Sequence, residues 1–132
     1  MDGDTVEVQL SNGKIVKVRF SGIDTPEKGQ SGGIAARGAL IEMLQGKDIS
    51  IKAVDTDRYG RTVAVIYANG RNVNEMMVKS GYAWAYRKYL DGDLKEKMVQ
   101  YETQARRSHR GLWWDKDIQA PWEWREQKRA KD

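Results

Sequence analysis

Two short alternating runs joined by an Asn-Gly pair constrain this chain more than any other feature. In "VEVQL" (6–10), Val6, Val8 and Leu10 alternate with Glu7 and Gln9; in "IVKVRF" (15–20), Val16, Val18 and Phe20 alternate with Lys17 and Arg19. Alternation with period two marks a strand with one buried face, and Asn12-Gly13 between the runs is the strongest short-range signal for a hairpin. A hairpin returns the chain to its starting point. Whatever precedes Val6 is therefore brought beside whatever follows Phe20.

Further strands are expected in "DISIKAV" (48–54), with Ile49, Ile51 and Ala53 on one face, and in "RTVAVIYA" (61–68), which ends at a second tight turn, Asn69-Gly70. Helices are expected over 34–44, closed by Gln45-Gly46, over 73–80, stopping at Gly81, and from near Asp93 to Arg110, with Leu94, Met98, Tyr101 and Ala105 as a buried stripe and Gly111 as the stop. Strands dominate the first half and helices the second, an α+β arrangement. Short hairpin-linked strands with one intervening helix suit a small barrel. A length of 132 residues suits a single domain. Met1 stands directly before the first motif, as in a chain trimmed of a leader.

The absence of cysteine excludes disulfides, thiolate zinc sites and cysteine nucleophiles. No stretch is apolar enough to span a membrane. The net charge of +4 fits either a polyanionic partner or an ordinary basic protein, and does not separate the two. Basic residues concentrate in "ARRSHR" (105–110) and in "WREQKRAKD" (124–132), the latter reading as a frayed, solvated tail.

Two "DGD" runs are candidates for chemistry, "DGDT" (2–5) and "DGDL" (91–94). Taken alone, either is a cation ligand set or a turn. The hairpin separates them, because it carries Asp2 and Asp4 to the end of the sheet where "GIDTPE" (22–27) places Asp24 and Glu27. Carboxylates converging without histidine or cysteine make a site for a hard cation, calcium or magnesium. Pro26 stiffens the loop and holds Thr25 extended, which aims the Thr25 carbonyl as well. Arg19 lies on the strand face opposite Val16, Val18 and Phe20, and Arg61 opens a strand after the turn "DRYG" (57–60). Arginine holds phosphate bidentately and stays cationic. Acids, a metal and two arginines together equip a site for phosphoryl chemistry; singly, each residue is equally a turn former or a surface charge. "DGDL" has no second acidic cluster brought to it: Asp93 suits an N-cap and Asp91-Gly92 a turn. His109, the sole histidine, cannot make a zinc site. In "GYAWAYRKY" (81–89) Trp84 suits the core, with Tyr86 and Tyr89 nearer a ligand, and Trp113, Trp114, Trp122 and Trp124 suit pinning the C-terminal segment to the body.

"DGDT", "RFSGIDTPE" (19–27), "DRYGR" (57–61), "VNEMMVKSGYAW" (73–84) and "AR…GLW" (105–113) occur in the order found in the staphylococcal nuclease family, which this chain resembles over nearly its whole length. The tail "PWEWR" (121–125) resembles that of bacterial nuclease-like relatives. The resemblance implies a five-stranded OB-type barrel with three helices, the first strand shortened, and residues 115–132 as an extension. It implies calcium-dependent hydrolysis of DNA and RNA, single-stranded or unwound, at the P–O5′ bond to leave 3′-phosphates. In these terms Asp4, Asp24 and the Thr25 carbonyl hold calcium, and Glu27 is the general base. Arg19 and Arg61 stabilise the transition state, and Tyr59, Tyr86 and Tyr89 hold the substrate. A monomer is expected, exported to a periplasmic or outside location if a leader was removed. A catalytically inactive binding module is the alternative, although such modules lose the acids and arginines kept here. "KGQSGG" (28–33) departs from the family, with Gly-Gly where an aromatic often precedes the helix.

Overall fold

The computed structural model describes residues 3–9 and 12–131. Strands β1 (Thr5–Gln9) and β2 (Ile15–Phe20) form the expected antiparallel hairpin, with Thr5 opposite Arg19, Val6 opposite Val18 and Val8 opposite Val16. Asn12 Oδ1 accepts from the Lys14 N–H at 2.9 Å, shaping the turn. Leu10, which the alternation assigns to the first strand, and Asp2 lie outside the described residues.

After β2 the chain makes a two-residue strand, β3 (Ile23–Asp24), then helix α1 (Gly33–Leu44). Strands β4 (Ile49–Thr56) and β5 (Thr62–Ala68) form a long antiparallel pair, and β6 (Arg71–Asn72) turns back on β5. Asn69 and Gly70 both take positive φ, 50° and 79°, the paired left-handed conformation that a tight two-residue hairpin loop requires. The ladders run β1-β2-β5-β4, and the β2–β5 contact is parallel. Helix α2 (Val73–Lys79), strand β7 (Trp84–Ala85) pairing with β3, and helices α3 (Gly92–Arg107) and α4 (Pro121–Lys131) complete the α+β fold. This architecture matches the expected class, with a fourth helix beyond the three expected.

Side chains of Val6, Val18, Phe20, Leu40, Ile66, Val73 and Met77 form the core between sheet and helices. One edge of β5 is shared, with β2 at its start and β6 at its end. Asn74 fills the interval: its Oδ1 accepts from the Ile66 N–H at 3.0 Å, and its Nδ2 donates to the carbonyls of Ser21 and Ala64 at 2.9 and 3.1 Å. A buried amide there completes a ladder that would otherwise leave main-chain groups unpaired.

Three expectations are corrected. Leu94 is exposed, and Glu102 takes the buried place beside Met98 and Ala105. Glu102 is held there by the Ala85 N–H at 2.8 Å and by Arg87 and Arg106; four-residue periodicity does not anticipate a buried acid. Asp93 is not the cap of α3: Asp91 occupies that position without a side-chain cap bond, and Asp93 lies in the first turn. The C-terminal segment is not frayed, since Pro121–Lys131 is helical. Proline at the first helical position is pre-set for such a start.

Asn74→Ala is expected to lower unfolding free energy in urea by about 2–4 kcal/mol, because it strips partners from several buried main-chain groups. Asp93→Ala, on an exposed turn, should change it by less than about 0.5 kcal/mol.

Candidate functional site

Register decides where the acids go. Thr5 faces Arg19 across the hairpin, and the Phe20 N–H donates to the Asp4 carbonyl at 2.8 Å, so Asp4 sits where the chain leaves β2. The short β3–β7 pairing, Asp24 opposite Trp84, holds the next acid. The Thr25 N–H then donates to Asp4 Oδ2 at 3.0 Å, joining the two acid-bearing segments by one buried bond. Asp4, Asp24 and Thr25 are 5 %, 1 % and 1 % exposed, too deeply buried for solvated turn residues. Arg19 Nη2 lies 3.6 Å from Asp4 Oδ2 and 3.7 Å from Asp24 Oδ1, while Nη1 donates to the Phe20 carbonyl at 2.7 Å. The strand carrying Arg19 thus aims its own guanidinium between the carboxylates.

Glu27 is placed by a closed loop. Its N–H donates to Gln30 Oε1 at 3.2 Å, its carbonyl accepts from the Gln30 N–H at 2.9 Å, and Gln30 Nε2 donates to the Gln119 carbonyl at 2.7 Å. The Gly-Gly departure has a steric reason. Gly32 adopts φ 92°, and Gly33 packs so tightly on the Glu27 carbonyl that a Cβ there would collide with it. The glycines let α1 approach the loop that bears Glu27.

One residue of the cluster was not foreseen. Arg125, on α4, donates through Nη1 to Asp24 Oδ1 at 3.2 Å and Glu27 Oε1 at 2.8 Å, and through Nη2 to Asp24 Oδ2 at 2.6 Å. The readable signal is "PWEWR": a helix-starting proline followed by two tryptophans, which solvated tails rarely carry. Trp122 stacks on Tyr86, ring centroids 5.5 Å apart and planes 8° apart, and meets Trp84 edge-on. Trp113 is buried against Trp84. Trp114, expected to pin the segment, is instead 80 % exposed.

Burial raises the Asp24 carboxyl to about 6, assisted by the charge of Asp4, while Arg125 and Arg19 pull the other way. Arg125 is held above its ordinary range because its bonds to Asp24 and Glu27 outweigh its own desolvation. The donor set suits a hard cation in being all oxygen, while Arg19 and Arg125 already supply positive charge to it from two sides. Among the described residues, no three His, Cys, Asp or Glu side chains are grouped to hold a metal. A cation here would rest on two carboxylates, with main-chain or solvent oxygen supplying the rest.

The remaining candidates lie in separate groups. Arg61 donates through Nε to Asp57 Oδ2 at 2.7 Å and stays with the 57–61 turn. Desolvation pushes the Asp57 carboxyl up, but the bonds from the Arg61 N–H, the Arg61 side chain and the Tyr59 N–H together hold it below its usual range. Tyr59 is exposed there, with Arg58 and Arg61 over its ring at 5.0 and 5.5 Å. Tyr86 is half-buried under Trp122, and the exposed Tyr89 meets Tyr86 edge-on at 4.9 Å. Asp91 and Asp93 are exposed at the start of α3. No helix among the described residues is long and apolar enough to cross a membrane.

A family model described as staphylococcal nuclease homologue matches residues 17–115. The chain is similar to a micrococcal nuclease of Shigella flexneri, with 41 % identity over 95 % of this chain and 76 % of that protein. It is also similar to an uncharacterized endonuclease of Escherichia coli, with 39 % identity over 97 % and 82 % of the two chains. Staphylococcal-like nuclease CAN1 of Arabidopsis thaliana is 40 % identical over 89 % of this chain, which spans only 35 % of that longer protein. Helix α4 begins beyond the segment the family model matches.

The raised carboxyl of Asp24 has a stability consequence with a definite sign. Because its folded value, about 6, lies above the ordinary 3.8, the native state holds the extra proton. That contribution is fully present below about pH 4 and is lost as pH rises through about 6. Asp24→Asn should therefore stabilise the protein at pH 7.5 by an amount on the order of 1–3 kcal/mol, shrinking towards zero near pH 4. Urea unfolding at the two pH values checks it.

Proposed function

The chain belongs to the staphylococcal nuclease family, and on that premise we propose that it is a calcium-dependent phosphodiesterase cutting DNA and RNA with little sequence preference. The observation that carries this reading is the buried pair Asp4 and Asp24, joined through the Thr25 N–H and flanked by Arg19 and Glu27. Asp4, Asp24 and the Thr25 carbonyl would hold the ion. Bound calcium would neutralise phosphate charge and acidify a coordinated water. Calcium tolerates irregular oxygen ligands from loop ends, whereas magnesium demands a near-ideal octahedron. With so few protein ligands, affinity in the absence of substrate should be weak, on the order of 10⁻⁴–10⁻³ M.

The side chains divide the remaining work. Glu27 accepts the proton of the water that adds to phosphorus. As the P–O5′ bond breaks, the 5′ oxygen takes a proton from solvent, leaving a 3′-phosphate and a 5′-hydroxyl. Arg19, aimed by its bond to the Phe20 carbonyl, faces the charge that builds on the phosphoryl oxygens. Arg61 reaches that phosphate by giving up Asp57. The exposed Tyr89, beside Tyr86, and the exposed Tyr59 of the 57–61 turn would hold the bases of a single or unwound strand. The enzyme acts as a monomer, and an exported setting matches its calcium requirement.

Removing a preorganised charge aimed at a transition state costs on the order of 10²–10³ in rate. Arg19→Ala and Glu27→Gln should each lose at least that much activity on single-stranded DNA while remaining folded. Arg61→Ala should lose a similar factor. Asp91→Ala should cut DNA at close to the normal rate; a loss matching that of Glu27→Gln would place the chemistry at the other "DGD" run.

A further inference from the structure

Helix α4 does not end in solvent but delivers a guanidinium into the carboxylate cluster. Both oxygens of Asp24 accept from Arg125, Oδ2 at 2.6 Å and Oδ1 at 3.2 Å, and the same Nη1 also takes Glu27 Oε1 at 2.8 Å. A fork on both oxygens occupies the lone pairs that a cation at Asp24 would use. Charge balance argues the same way. Asp4, Asp24 and Glu27 here face two guanidiniums, those of Arg19 and Arg125. A dication added to this set leaves excess positive charge in a buried site, whereas a dication in place of Arg125 leaves the cluster neutral.

We propose that Arg125 is an internal competitor for the metal position: its guanidinium and a divalent cation hold the Asp24 carboxylate in alternation, and metal binding also draws Arg125 away from Glu27. This rests on the reading of Asp4 and Asp24 as metal ligands, and adds that the chain supplies its own occupant. Arg125 is thus a positioning residue, acting through Asp24 and Glu27. The single guanidinium that binds Asp24 also binds Glu27, so its withdrawal changes the surroundings of both acids. Place for it exists: a cleft of about 270 Å³ beside Glu27 is lined by Trp124, Arg125, Lys128 and Arg129. Three cations in that cleft suit a phosphate of the bound strand, which would give the displaced guanidinium a new anion. The helix need not detach. Trp122, stacked on Tyr86, anchors its first turn, while residues 126–131 are exposed.

Calcium titration of the full chain by calorimetry, without nucleic acid, tests the proposal on wild type, Arg125→Gln, Arg125→Lys and Asp24→Asn. Circular dichroism first checks that each is folded, and Arg125→Lys carries the test alone if Arg125→Gln is not. Arg125→Gln should bind calcium at least tenfold more tightly than wild type. Arg125→Lys, a cation without the two-pronged fork, should fall between them, and Asp24→Asn should bind none. A residue that merely braces the fold would weaken calcium binding when removed, not strengthen it. Unchanged or weaker affinity in Arg125→Gln, with Asp24→Asn still abolishing binding, overturns the competition and leaves the metal site standing. No calcium binding in wild type, Arg125→Gln and Arg125→Lys alike overturns both. Activity gives a second readout: half-maximal calcium should fall in Arg125→Gln, while KM for an oligonucleotide rises.

Discussion

Asp4 and Asp24 are buried side by side, and the charge of each presses on the other. Burying two like-charged carboxylates together costs both their desolvation and their mutual repulsion, against the narrow margin by which a small domain is stable. Such a pair persists only where the surrounding structure supplies opposite charge and polar hydrogens in fixed places. Here the Thr25 N–H binds one carboxylate, Arg19 approaches both, and Arg125 binds the other. Much of the fold reads as a means of delivering these groups. The β1–β2 hairpin brings Asp4 and Arg19 together, the β3–β7 pairing fixes Asp24, and the stacked Trp122 holds the helix that carries Arg125.

Electrostatic strain of this kind is also what makes the site useful. The compensation at Asp24 is incomplete, since burial still leaves its carboxyl raised. A polyvalent cation has more to offer the pair than guanidiniums do. A cluster relaxed by its own lysines and arginines alone would have no reason to take one. Glu102 shows the contrast: it is as deeply buried as Asp24 but is held by a main-chain N–H and two arginines. The one is a brace for α3 and β7, the other a site.

Strand parity makes much of the candidate site legible from the residues alone. Alternation in residues 6–20 fixed which side of the hairpin Arg19 faces, and the return of the chain after Asn12-Gly13 put Asp4 beside "GIDTPE". Period and turn chemistry are local, and these facts are local. What stayed hidden depends on contacts between distant segments. Arg125 is 101 residues from Asp24 in sequence, and nothing local separates a tail rich in lysine and arginine from a helix that returns to the core. The two tryptophans of "PWEWR" were the available clue, read as anchors without the helix they anchor. Buried Glu102 is hidden for the same reason, because its partners lie on β7, the following turn and its own helix. Arg61 shows the converse: its place at the start of β5 was legible, but its bond to Asp57 keeps it with the turn.

Activity after chelation, with single cations restored one at a time, decides whether a hard cation held by Asp4 and Asp24 drives phosphodiester hydrolysis. Purified protein stripped with chelator should lose cleavage of single-stranded DNA. Calcium should restore it, magnesium poorly and zinc not at all, because every proposed ligand is oxygen and zinc prefers nitrogen and sulfur. Full activity in chelator, or rescue by zinc and not by calcium, would contradict it.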